Sequence, residues 1–484
     1  MKRTPSALGL VLATSLLTVV GTLSGIAAGA AADGPPPAAH AAARGGPGKW
    51  TKVSSGTVGI ISVPSLARTS DGMLHLVYTN NDGTLIRHSA IRSNGSVAAQ
   101  NNVLTSAWSQ TDYAPVVLGQ HGSNLRVVFG GIRTLSPGFW SDGRMYTATS
   151  GNGGSSWALP AEAVGVSHSA YGSYGTGATT LADGTPIADY PLNSDLTWHV
   201  GTGADADHVH TAPGCCVYYS TLVRDGGNVW MAWYGNGSSN ASNGVFAMRI
   251  YPTAGPVLKA PGSSKLSLGS PASIPTGRIA LAARAGGGVY AAYCVGYPSC
   301  TSVRLWKVGT SKTKDVPHSK FATTISLSSG PGGRLWVAWA DNLPKVRAVR
   351  TGTDGLAMGA VRTAGLPKGK NAAYSLAIDG SRGRGDIVVN VGDGMWHTQV
   401  LAGLTVSAGP HAWRHGTRQK VVFKVTDAHA AVKGAQVKVG SLHCTTNRKG
   451  SCSITFPASY GKGKHTAKAT KNGYAAATTG LRVR

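Results

Sequence analysis

The chain of 484 residues is 42% hydrophobic and carries a formal net charge of +26. Its length allows a large core and at least two domains, and its 67 glycines suit the turns between many short strands. After the N-terminal segment no stretch is long and apolar enough to span a bilayer. No recognition helix or zinc finger supports specific nucleic-acid binding. The composition therefore gives no support to a protein with several membrane-spanning helices or to a sequence-specific nucleic-acid-binding protein.

The first 32 residues have the three parts of a secretory signal peptide. Lys2 and Arg3 provide the positive start, Leu8 to Val20 the apolar body, and Ala30 to Ala32 a small-residue cleavage site. The apolar body is short and interrupted by Thr, Ser and Gly, which favours cleavage over a membrane anchor. We therefore expect a secreted protein in which residues 33–49, rich in Pro, Ala and Gly, form a flexible leader.

One sequence shape recurs seven times after the leader. A short apolar run leads into a glycine-containing turn and then into a second run with a period of two, which is typical of adjacent antiparallel strands. The copies begin about 40 to 60 residues apart, the spacing expected for a repeat of four strands. They are Ser65–Tyr78, Val116–Phe129, Thr179–Tyr190, Ser220–Tyr234, Ile279–Tyr293, Ile325–Asn342 and Ser375–Asn390.

Small sheets of this kind need neighbours to cover both faces, and a ring of sheets supplies them while protecting the strand edges. The period persists for over 300 residues without a helical stretch, which favours an all-β ring over unrelated hairpins in a β-sandwich. Seven copies indicate a seven-bladed β-propeller. A six-bladed ring closed by the chain ends is the alternative.

The most specific local motif is SGNGGSSW at residues 150–157, between two predicted strands. It resembles the Asp-box of bacterial sialidases, Ser-x-Asp-x-Gly-x-Thr-Trp. Its Ser, Gly and Trp match, while Asn152 and Ser156 replace the Asp and the Thr. In that family the box is a structural turn remote from the catalytic face. The resemblance implies a sialidase-like propeller over residues 50–410, with a funnel-shaped ligand face where the first strand of each blade starts.

The catalytic residues of sialidases are not matched. Ser62 stands where an Arg-Ile-Pro type motif would place the carboxylate-binding Arg, and Ser lacks the charged fork. The single Glu, Glu162, follows the Asp-box-like turn, where it cannot activate a Tyr nucleophile. Asp82 is a candidate acid, but its Asn-Asp-Gly context is typical of an ordinary turn. We expect no sialidase activity and assign no catalytic residue.

Another glycosidase chemistry would need two facing carboxylates. Asp189, Asp195, Asp205 and Asp207 share one segment with two His residues. This pattern is open to catalysis, to cation binding and equally to a solvated loop. Because no ligand spacing there is diagnostic, we predict neither a metal ion nor a cofactor.

Candidate ligand-binding residues follow from the funnel face, which is lined by residues just before each first strand and just after each second strand. Aromatic rings offer flat faces to sugars, and Asn, Asp and Arg offer hydrogen bonds to hydroxyl groups. Some of the Tyr side chains alternatively fill the core at the blade ends. The candidates are Tyr113, Arg133, Tyr190, Tyr234, Asn236 and Asp341.

Six cysteines suit an oxidising compartment. Cys294 and Cys300, and likewise Cys444 and Cys452, have the spacing of local disulfides that fix loops. The adjacent Cys215 and Cys216 are open to a vicinal disulfide or to other partners.

The repeat stops near residue 413, and residues 415–484 alternate in the manner of strands. The runs VTDAHAAVKGAQVKVG and TTNRKGSCSITF resemble immunoglobulin-like modules of the carboxypeptidase-regulatory or invasin type. The resemblance implies a small β-sandwich used for spacing, adhesion or surface contact. From Arg414 onward fourteen Lys or Arg residues accompany one acidic residue, Asp427, a net charge of +13 in 71 residues. This surplus predicts contact with an anionic polymer, and a solubilising surface is the alternative.

The sequence thus predicts a secreted propeller that binds a carbohydrate or an anionic cell-envelope polymer. One alternative is a divergent glycoside hydrolase or lyase of the sialidase-like superfamily, and another is an extracellular scaffold for a protein partner. Two carboxylates at the funnel centre would favour the enzyme, and an exposed apolar rim would favour the scaffold.

Overall fold

The computed structural model describes residues 47–106, 108–136, 139–140, 143–159, 164, 176–192, 195–203, 207–213, 217–264, 278–297 and 299–484. The predicted signal peptide, most of the leader, Glu162, Asp205 and the Cys215–Cys216 pair lie outside these ranges. The described part is almost entirely β-structure, with one short 3-10 turn at Pro331–Gly333. No helix in this part has the length and apolar character needed to cross a membrane.

Within the described ranges, seven antiparallel sheets of four strands follow one another between Thr51 and Val400. Each of the seven predicted hairpins supplies the inner strand of one sheet and the strand paired with it. Sheet 1 has strands Ser65–Arg68, Leu74–Thr79, Ile86–Ile91 and Val97–Asn102; sheet 2 has Gln110–Thr111, Val116–Gly119, Leu125–Ile132 and Arg144–Ser150; sheet 3 has Gly177–Thr180, Pro186–Leu192, Asp195–Val200 and His208–Thr211; sheet 4 has Val217–Asp225, Asn228–Asn236, Asn243–Tyr251 and Leu258–Lys259; sheet 5 has Ala280–Ala283, Val289–Val295, Ser302–Lys307 and Thr313–Asp315; sheet 6 has Ala322–Gly330, Arg334–Asp341, Lys345–Arg350 and Arg362–Gly365; sheet 7 has Ser375–Asp379, Gly385–Asn390, Met395–Val400 and, from the N-terminal end, Thr51–Lys52. A further two-stranded pair joins Thr134–Ser136 and Phe139–Trp140.

The sheets form a closed ring. The inner strand of each sheet, which begins its predicted hairpin, contacts the inner strand of the next, and that of sheet 7 contacts that of sheet 1. Ser326 and Ser328 accept hydrogen bonds from Ile378 N–H and Gly380 N–H at 3.2 and 3.0 Å, so these two inner strands run in the same direction. The predicted β-propeller is thus confirmed. Within each sheet the strands alternate in direction, so the loops before the inner strands and after their hairpin partners share one side, the funnel face.

Each junction between neighbouring sheets has its own apolar core. Seven separate clusters of buried side chains fill the seven junctions, for example Trp339 with Tyr290 between sheets 5 and 6. Alternating apolar residues on both faces of the central strands supply these clusters, because every central strand is covered on both sides. The core of the propeller therefore lies between the sheets and surrounds the central channel.

The ring is closed by strand pairing and by a buried network of ion pairs. Thr51 and Lys52 pair with the third strand of sheet 7, so the two ends of the ring share one sheet. Arg68 of sheet 1 donates hydrogen bonds to the carboxyl groups of Asp379 and Asp386 of sheet 7 at 2.8 and 2.6 Å. Arg68 and Asp386 are almost fully buried, and His397 also contacts Asp386 at 3.0 Å. A buried, multiply bonded cation therefore joins the first sheet to the last.

The Ser150–Trp157 turn fastens sheet 2 to sheet 1. Ser150 Oγ accepts a hydrogen bond from Gly154 N–H at 2.8 Å, and Asn152 Oδ1 accepts one from Ser156 N–H at 3.0 Å. Gly154 has a φ of +82°, and a Cβ there would lie 2.3 Å from the ring of His88 in sheet 1. Only glycine fits this turn, both for its backbone and for its close approach to the histidine.

A buried histidine pair lies beneath this turn. His75 Nδ1 and His88 Nε2 are 2.9 Å apart, and Thr69 and Asn101 complete the row of hydrogen bonds. Burial lowers the pKa of both rings from the usual 6.5 to about 4, and the neighbouring His75 further lowers that of His88. Both histidines are therefore neutral at physiological pH.

Acidification is expected to destabilise the propeller through this pair. Between pH 6.5 and about 4 the unfolded chain binds more protons than the folded one, so stability is complete above pH 6.5 and falls as the pH decreases. Each pKa unit corresponds to about 1.4 kcal/mol, so the loss amounts to several kcal/mol. Urea unfolding followed by Trp fluorescence at pH 7.5, 6 and 5 measures it. The double change His75→Gln and His88→Gln should flatten the slope, and the exposed His121→Gln should not. An unchanged slope in the double variant would assign the acid sensitivity to other groups.

The C-terminal part is a two-sheet sandwich. One sheet contains Thr405–Gly409, Gln419–Asp427, Ala430–Ala431 and Ser451–Phe456, and the other contains Ala412–Trp413, Gln436–Val439, Leu442–Thr445, Gly463–Thr470 and Ala477–Val483. Alternate residues such as Phe423, Val437 and Leu481 form the core between the sheets. The strand Thr405–Gly409 pairs with Gln419–Asp427, so the sandwich includes residues before the expected boundary at 415.

Asp427 anchors the sandwich to the propeller. Its buried carboxyl group pairs with Arg350 and lies 3.3 Å from Arg334, both from sheet 6. Arg350 also lies over the ring of Tyr474, 5.2 Å from its centroid. The short strands Ala402–Gly403 and Tyr474–Ala475 pair in parallel beside this contact.

Both predicted local disulfides are present. Cys294–Cys300 closes the loop after the second strand of sheet 5, and Cys444–Cys452 joins the two sheets of the sandwich. No cysteine among the described residues is unpaired.

Candidate functional site at the mouth of the central channel

The inner strands of all seven sheets line a central channel with a cavity of about 470 Å³. A concave space of this size, reached from loops on one face, is the usual setting of a small-molecule or sugar site. Its walls are mainly small and aliphatic, as expected from strands such as Ala280–Ala283. Two charged residues line it: Arg278 lies at the end that opens on the funnel face, and Arg224 lies near the opposite end of its inner strand.

Arg278 is the central charged residue of this mouth. It directly precedes the inner strand of sheet 5, yet its guanidinium reaches sheets 2 and 3. Its Nη2 donates to the carbonyl oxygens of Ala114 and, at 2.8 Å, Pro115, and its Nε donates to that of Thr176 at 3.3 Å. Burial lowers its pKa to about 10, which leaves it charged at neutral pH, while Asp112 and Asp189 oppose the shift.

Asp112 is the first of two buried carboxyl groups near Arg278. Only 3% of the residue is exposed. Thr176 Oγ1 donates to its Oδ2 at 2.7 Å, and Ala114 N–H donates to its Oδ1 at 2.8 Å. Burial raises its pKa, and these hydrogen bonds together with Arg278 reduce the rise. The residue is held rigidly just before the inner strand of sheet 2.

Asp189 is the second carboxyl group, near the end of the second strand of sheet 3. Burial raises its pKa to about 7, and the nearby Ser220 hydroxyl partly opposes the rise. Neither Asp189 Oδ1 nor Ser220 Oγ makes a hydrogen bond of regular geometry with another described residue. A Cβ at Gly177 would lie 2.2 Å from Asp189 Oδ1, so only glycine leaves room for this carboxyl group.

These groups form a compact polar site, called here the mouth cluster: Asp112, Thr176, Asp189, Ser220 and Arg278. It combines one permanent cation, two carboxyl groups of raised pKa and two hydroxyl groups. Buried polar atoms without partners cost free energy, so Asp189 Oδ1 and Ser220 Oγ, which lie close together, mark a place for a small polar group such as a water. Of the five residues, only Arg278 lines the cavity directly. Among the described residues no three His, Cys, Asp or Glu side chains are placed to hold a metal ion.

Exposed apolar side chains lie on the same face, on the loops of sheets 1, 5, 6 and 7. They precede an inner strand or follow its hairpin partner, and between 38% and 54% of each is exposed. Phe321 has a φ of +63°, a left-handed conformation that is unfavourable for a bulky residue, and its N–H is held by the carbonyl of Cys300 at 2.8 Å. The backbone thus holds this ring outward at some cost. The rim consists of Ile60, Ile61, Tyr297, Phe321, Leu343 and Tyr374.

The candidates predicted from the sequence are spread over the funnel face. Tyr113 is half-buried beside Gly83, Arg133 is half-buried, and Asn236 is exposed at the end of its strand. Tyr234 is 1% exposed and packs in the core between sheets 4 and 5, so its ring offers no face to a ligand. Asp341 is buried, pairs with Arg347 and caps the N–H of Leu343 at 3.0 Å. The side chain of Tyr190 lies outside the described residues.

The described acidic side chains of sheet 3 do not lie together in one site. Asp189 joins the mouth cluster, whereas Asp207 lies 3.1 Å from His199 in the outer part of the sheet. Asp195 is half-buried in the third strand. Asp82, the other candidate acid, is exposed in a turn beside Asn81. Of these residues, only Asp189 therefore interacts with Arg278.

Arg278 and Asp112 were not predicted from the sequence, although both occupy a position expected to line the funnel face. Both stand just before an inner strand, the position from which Tyr113 was chosen. Aromatic and amide side chains are the usual sugar ligands, whereas a lone Arg or an Asp in a turn-like context does not by itself indicate a site. A charged residue next to an apolar inner strand was the available signal.

Comparisons with known proteins concern the fold alone. No protein-family model matches the chain, and no curated protein is similar in sequence. Solved structures with a similar fold include the Hadza microbial sialidase Hz136, with 10% identity and a TM-score of 0.42 over 70% of this chain and 65% of the sialidase. They also include the polysaccharide lyase Uly1, with 8% identity and a TM-score of 0.44 over 72% and 92% of the two chains. A lectin of Aleuria aurantia bound to Fucα1-6GlcNAc has 10% identity and a TM-score of 0.40 over 71% and 93%. The chain thus spans slightly less than two thirds of the sialidase.

Proposed function

We propose that this protein is a secreted carbohydrate-binding β-propeller whose ligand sits at the mouth cluster. The unpaired Asp189 Oδ1 and Ser220 Oγ, buried beside Arg278, support the proposal most directly. A sugar hydroxyl both donates and accepts, so one hydroxyl can satisfy a carboxylate and a serine together. The exposed rings of Tyr297, Phe321 and Tyr374, on the same face, offer the flat apolar surfaces on which sugar rings stack.

The proposal also covers the number of blades, the type of the Ser150–Trp157 turn, the type of sandwich and secretion. Each of the seven sheets is one blade, so the propeller has seven blades. The Ser150–Trp157 turn is a variant Asp-box, supported by the hydrogen bonds of Ser150 and Asn152. The sandwich is an immunoglobulin-like module. Two disulfides support secretion, because such bonds persist in oxidising compartments.

A glycoside hydrolase or lyase is the second candidate, and the pair Asp112 and Asp189 favours it. A carboxyl group with a pKa of about 7 remains partly protonated at neutral pH and is suited to protonate a leaving oxygen. Asp112 would then act as the second carboxylate. The rim in turn favours a third candidate, a scaffold for a protein partner, because contiguous exposed apolar side chains mark such surfaces.

Ser220→Ala is expected to weaken glycan binding between about twofold and tenfold, the effect of one neutral hydrogen bond. A glycan array probed with the full chain identifies the ligand, and titration calorimetry with the best glycan compares the variants. Thr398→Val is the matched control, because its buried hydroxyl in sheet 7 also lacks a partner. Sugar release is assayed in parallel.

Binding without release supports the lectin-like function. Release that Asp189→Asn abolishes would establish the enzyme instead. An array without hits, or equal losses in Ser220→Ala and Thr398→Val, would contradict a site at the mouth cluster.

A further inference from the structure

We propose that the sandwich carries a second binding site, for a linear polymer of phosphate-linked sugar or polyol units. The site is the outer surface of the five-stranded sheet, called here the basic face and defined by Lys438, Lys464, Lys468 and Arg482. All four side chains are exposed, and they alternate along their strands with residues of the sandwich core. Because it lies on the sandwich, this site is independent of the sugar site at the channel mouth.

The four cations are arranged as two like-charged pairs. Lys438 stands directly opposite Lys468, and Lys464 stands directly opposite Arg482, on adjacent antiparallel strands. Side chains in such positions have Cβ atoms about 4.5–5.5 Å apart, and like charges there destabilise a sheet. A sheet that only needed solubility would alternate the two signs of charge. The pairs are therefore costly to the fold and are best explained by an external anion.

The sandwich offers no internal anion to offset them. From Arg414 to Arg484 the only acidic residue is Asp427. It is 1% exposed and is already engaged by Arg350 and Arg334 of the propeller. None of the four cations of the basic face has an ion-pair partner within the described residues. The counter-charge must come from another molecule.

The spacing of the pairs suits a polymer better than a single small anion. Lys464 and Lys468 lie on one strand four residues apart, which corresponds to about 13 Å at 3.3 Å per residue. A single phosphate cannot contact two cationic pairs at this separation, whereas an extended chain with several phosphates can. A polymer lying along this strand can place one phosphate at each pair.

The chemistry of the face favours phosphate groups and disfavours nucleobases. Three of its four cations are Lys, a compact point charge that binds phosphate without a planar fork, and the fourth is Arg, whose fork also accepts phosphate. The outward positions of these strands hold Lys, Arg, Thr, Gln, Gly and His, with no Phe, Tyr or Trp. Binding of single-stranded nucleic acid relies on aromatic stacking, which this face cannot provide.

The test is binding of the full chain to poly(glycerol phosphate), measured by fluorescence anisotropy between 0.05 and 0.3 M salt, with neutral dextran as the blank. With four contacts we expect log K to fall with log salt at a slope of about −2.8, since each contacted charge contributes about 0.7. The double change Lys438→Gln and Lys468→Gln should reduce the slope by about 1.4 and the affinity roughly 25-fold at 0.1 M salt. Lys420→Gln with Lys424→Gln is the matched control, because it removes the same charge from exposed positions of the other sheet.

If the two double variants lost the same affinity for the polymer, the loss would follow from net charge alone. The basic face would then not be a binding site. Tighter binding of a 20-base-pair DNA duplex than of poly(glycerol phosphate) at equal salt would overturn the proposed polymer in favour of nucleic acid. Binding no stronger than to dextran would refute both. Retention of array glycans by the Lys438→Gln and Lys468→Gln variant would show that the two sites act separately.

Discussion

Arg278→Lys is expected to weaken glycan binding roughly tenfold to a hundredfold and to leave the chain folded. Hydrogen bonds to a charged group contribute about 1.5–3 kcal/mol each, and tenfold in affinity is about 1.4 kcal/mol. Lys keeps the positive charge between Asp112 and Asp189, but it cannot reach the carbonyl oxygens of sheets 2 and 3 as the guanidinium does. The fixed orientation of the mouth cluster is then lost. Titration calorimetry with the array ligand measures the effect.

The pH profile separates a binding role of the cluster from a purely structural one. Because the pKa of Asp189 is raised to about 7, its carboxylate form, the stronger acceptor for a sugar hydroxyl, increases between pH 6 and 8. Affinity should rise over that interval, and Asp189→Asn should remove the dependence. Arg304→Lys, in the third strand of sheet 5 and paired with Asp315, is the matched control and should bind normally. If Arg278→Lys lowered only the unfolding temperature and not the affinity, Arg278 would be a structural residue.

Arg68→Met is expected to cost about 3–5 kcal/mol of unfolding free energy, the largest stability effect we foresee for one substitution. The substitution fills a similar volume but leaves Asp386, which is 1% exposed, without its main cation. His397 and Arg384 remain near this carboxyl group but cannot restore the link between sheets 1 and 7. Urea unfolding at pH 7.5 measures the loss.

Arg304→Met provides the comparison for this value. Arg304 also pairs with an Asp, at 2.7 Å, but the partner Asp315 is half-exposed, and such pairs contribute at most about 1 kcal/mol. A similar cost for both substitutions would show that burial of the Arg68 network adds nothing to closure of the ring.

The sequence predicted the propeller because its signals are local. Each hairpin combines a period of two with a glycine turn, and both depend on residues that are close in the chain. Ser326 and Ser328 in the clearest copy even mark the contact to the next sheet, since they accept its backbone hydrogen bonds. The start of the sandwich was harder to place, because Thr405–Gly409 belongs to it only through pairing with a later strand.

The site was less predictable because it depends on contacts between distant residues. Arg278 donates a hydrogen bond to the carbonyl oxygen of Ala114, 164 positions earlier, and no local sequence pattern predicts so distant a contact. Tyr234 and Asp341 occupy the expected positions on their strands, yet the first is buried in the core and the second is bound to Arg347. The side-chain direction at a strand end decides between surface and core, and the sequence period does not determine it there.

Closure of the ring at its two ends also constrains when the chain can fold. The bond between Arg68 and Asp379 joins residues 311 positions apart, and Thr51–Lys52 pairs with a strand that ends at Val400. Contacts of such long range form slowly, and unpaired strand edges remain open to aggregation in the meantime. Until Val400 has emerged from the ribosome, sheet 7 lacks its third strand and cannot seal the ring. A chain built in this way can form single sheets early but completes its ring only after most of it has been synthesised.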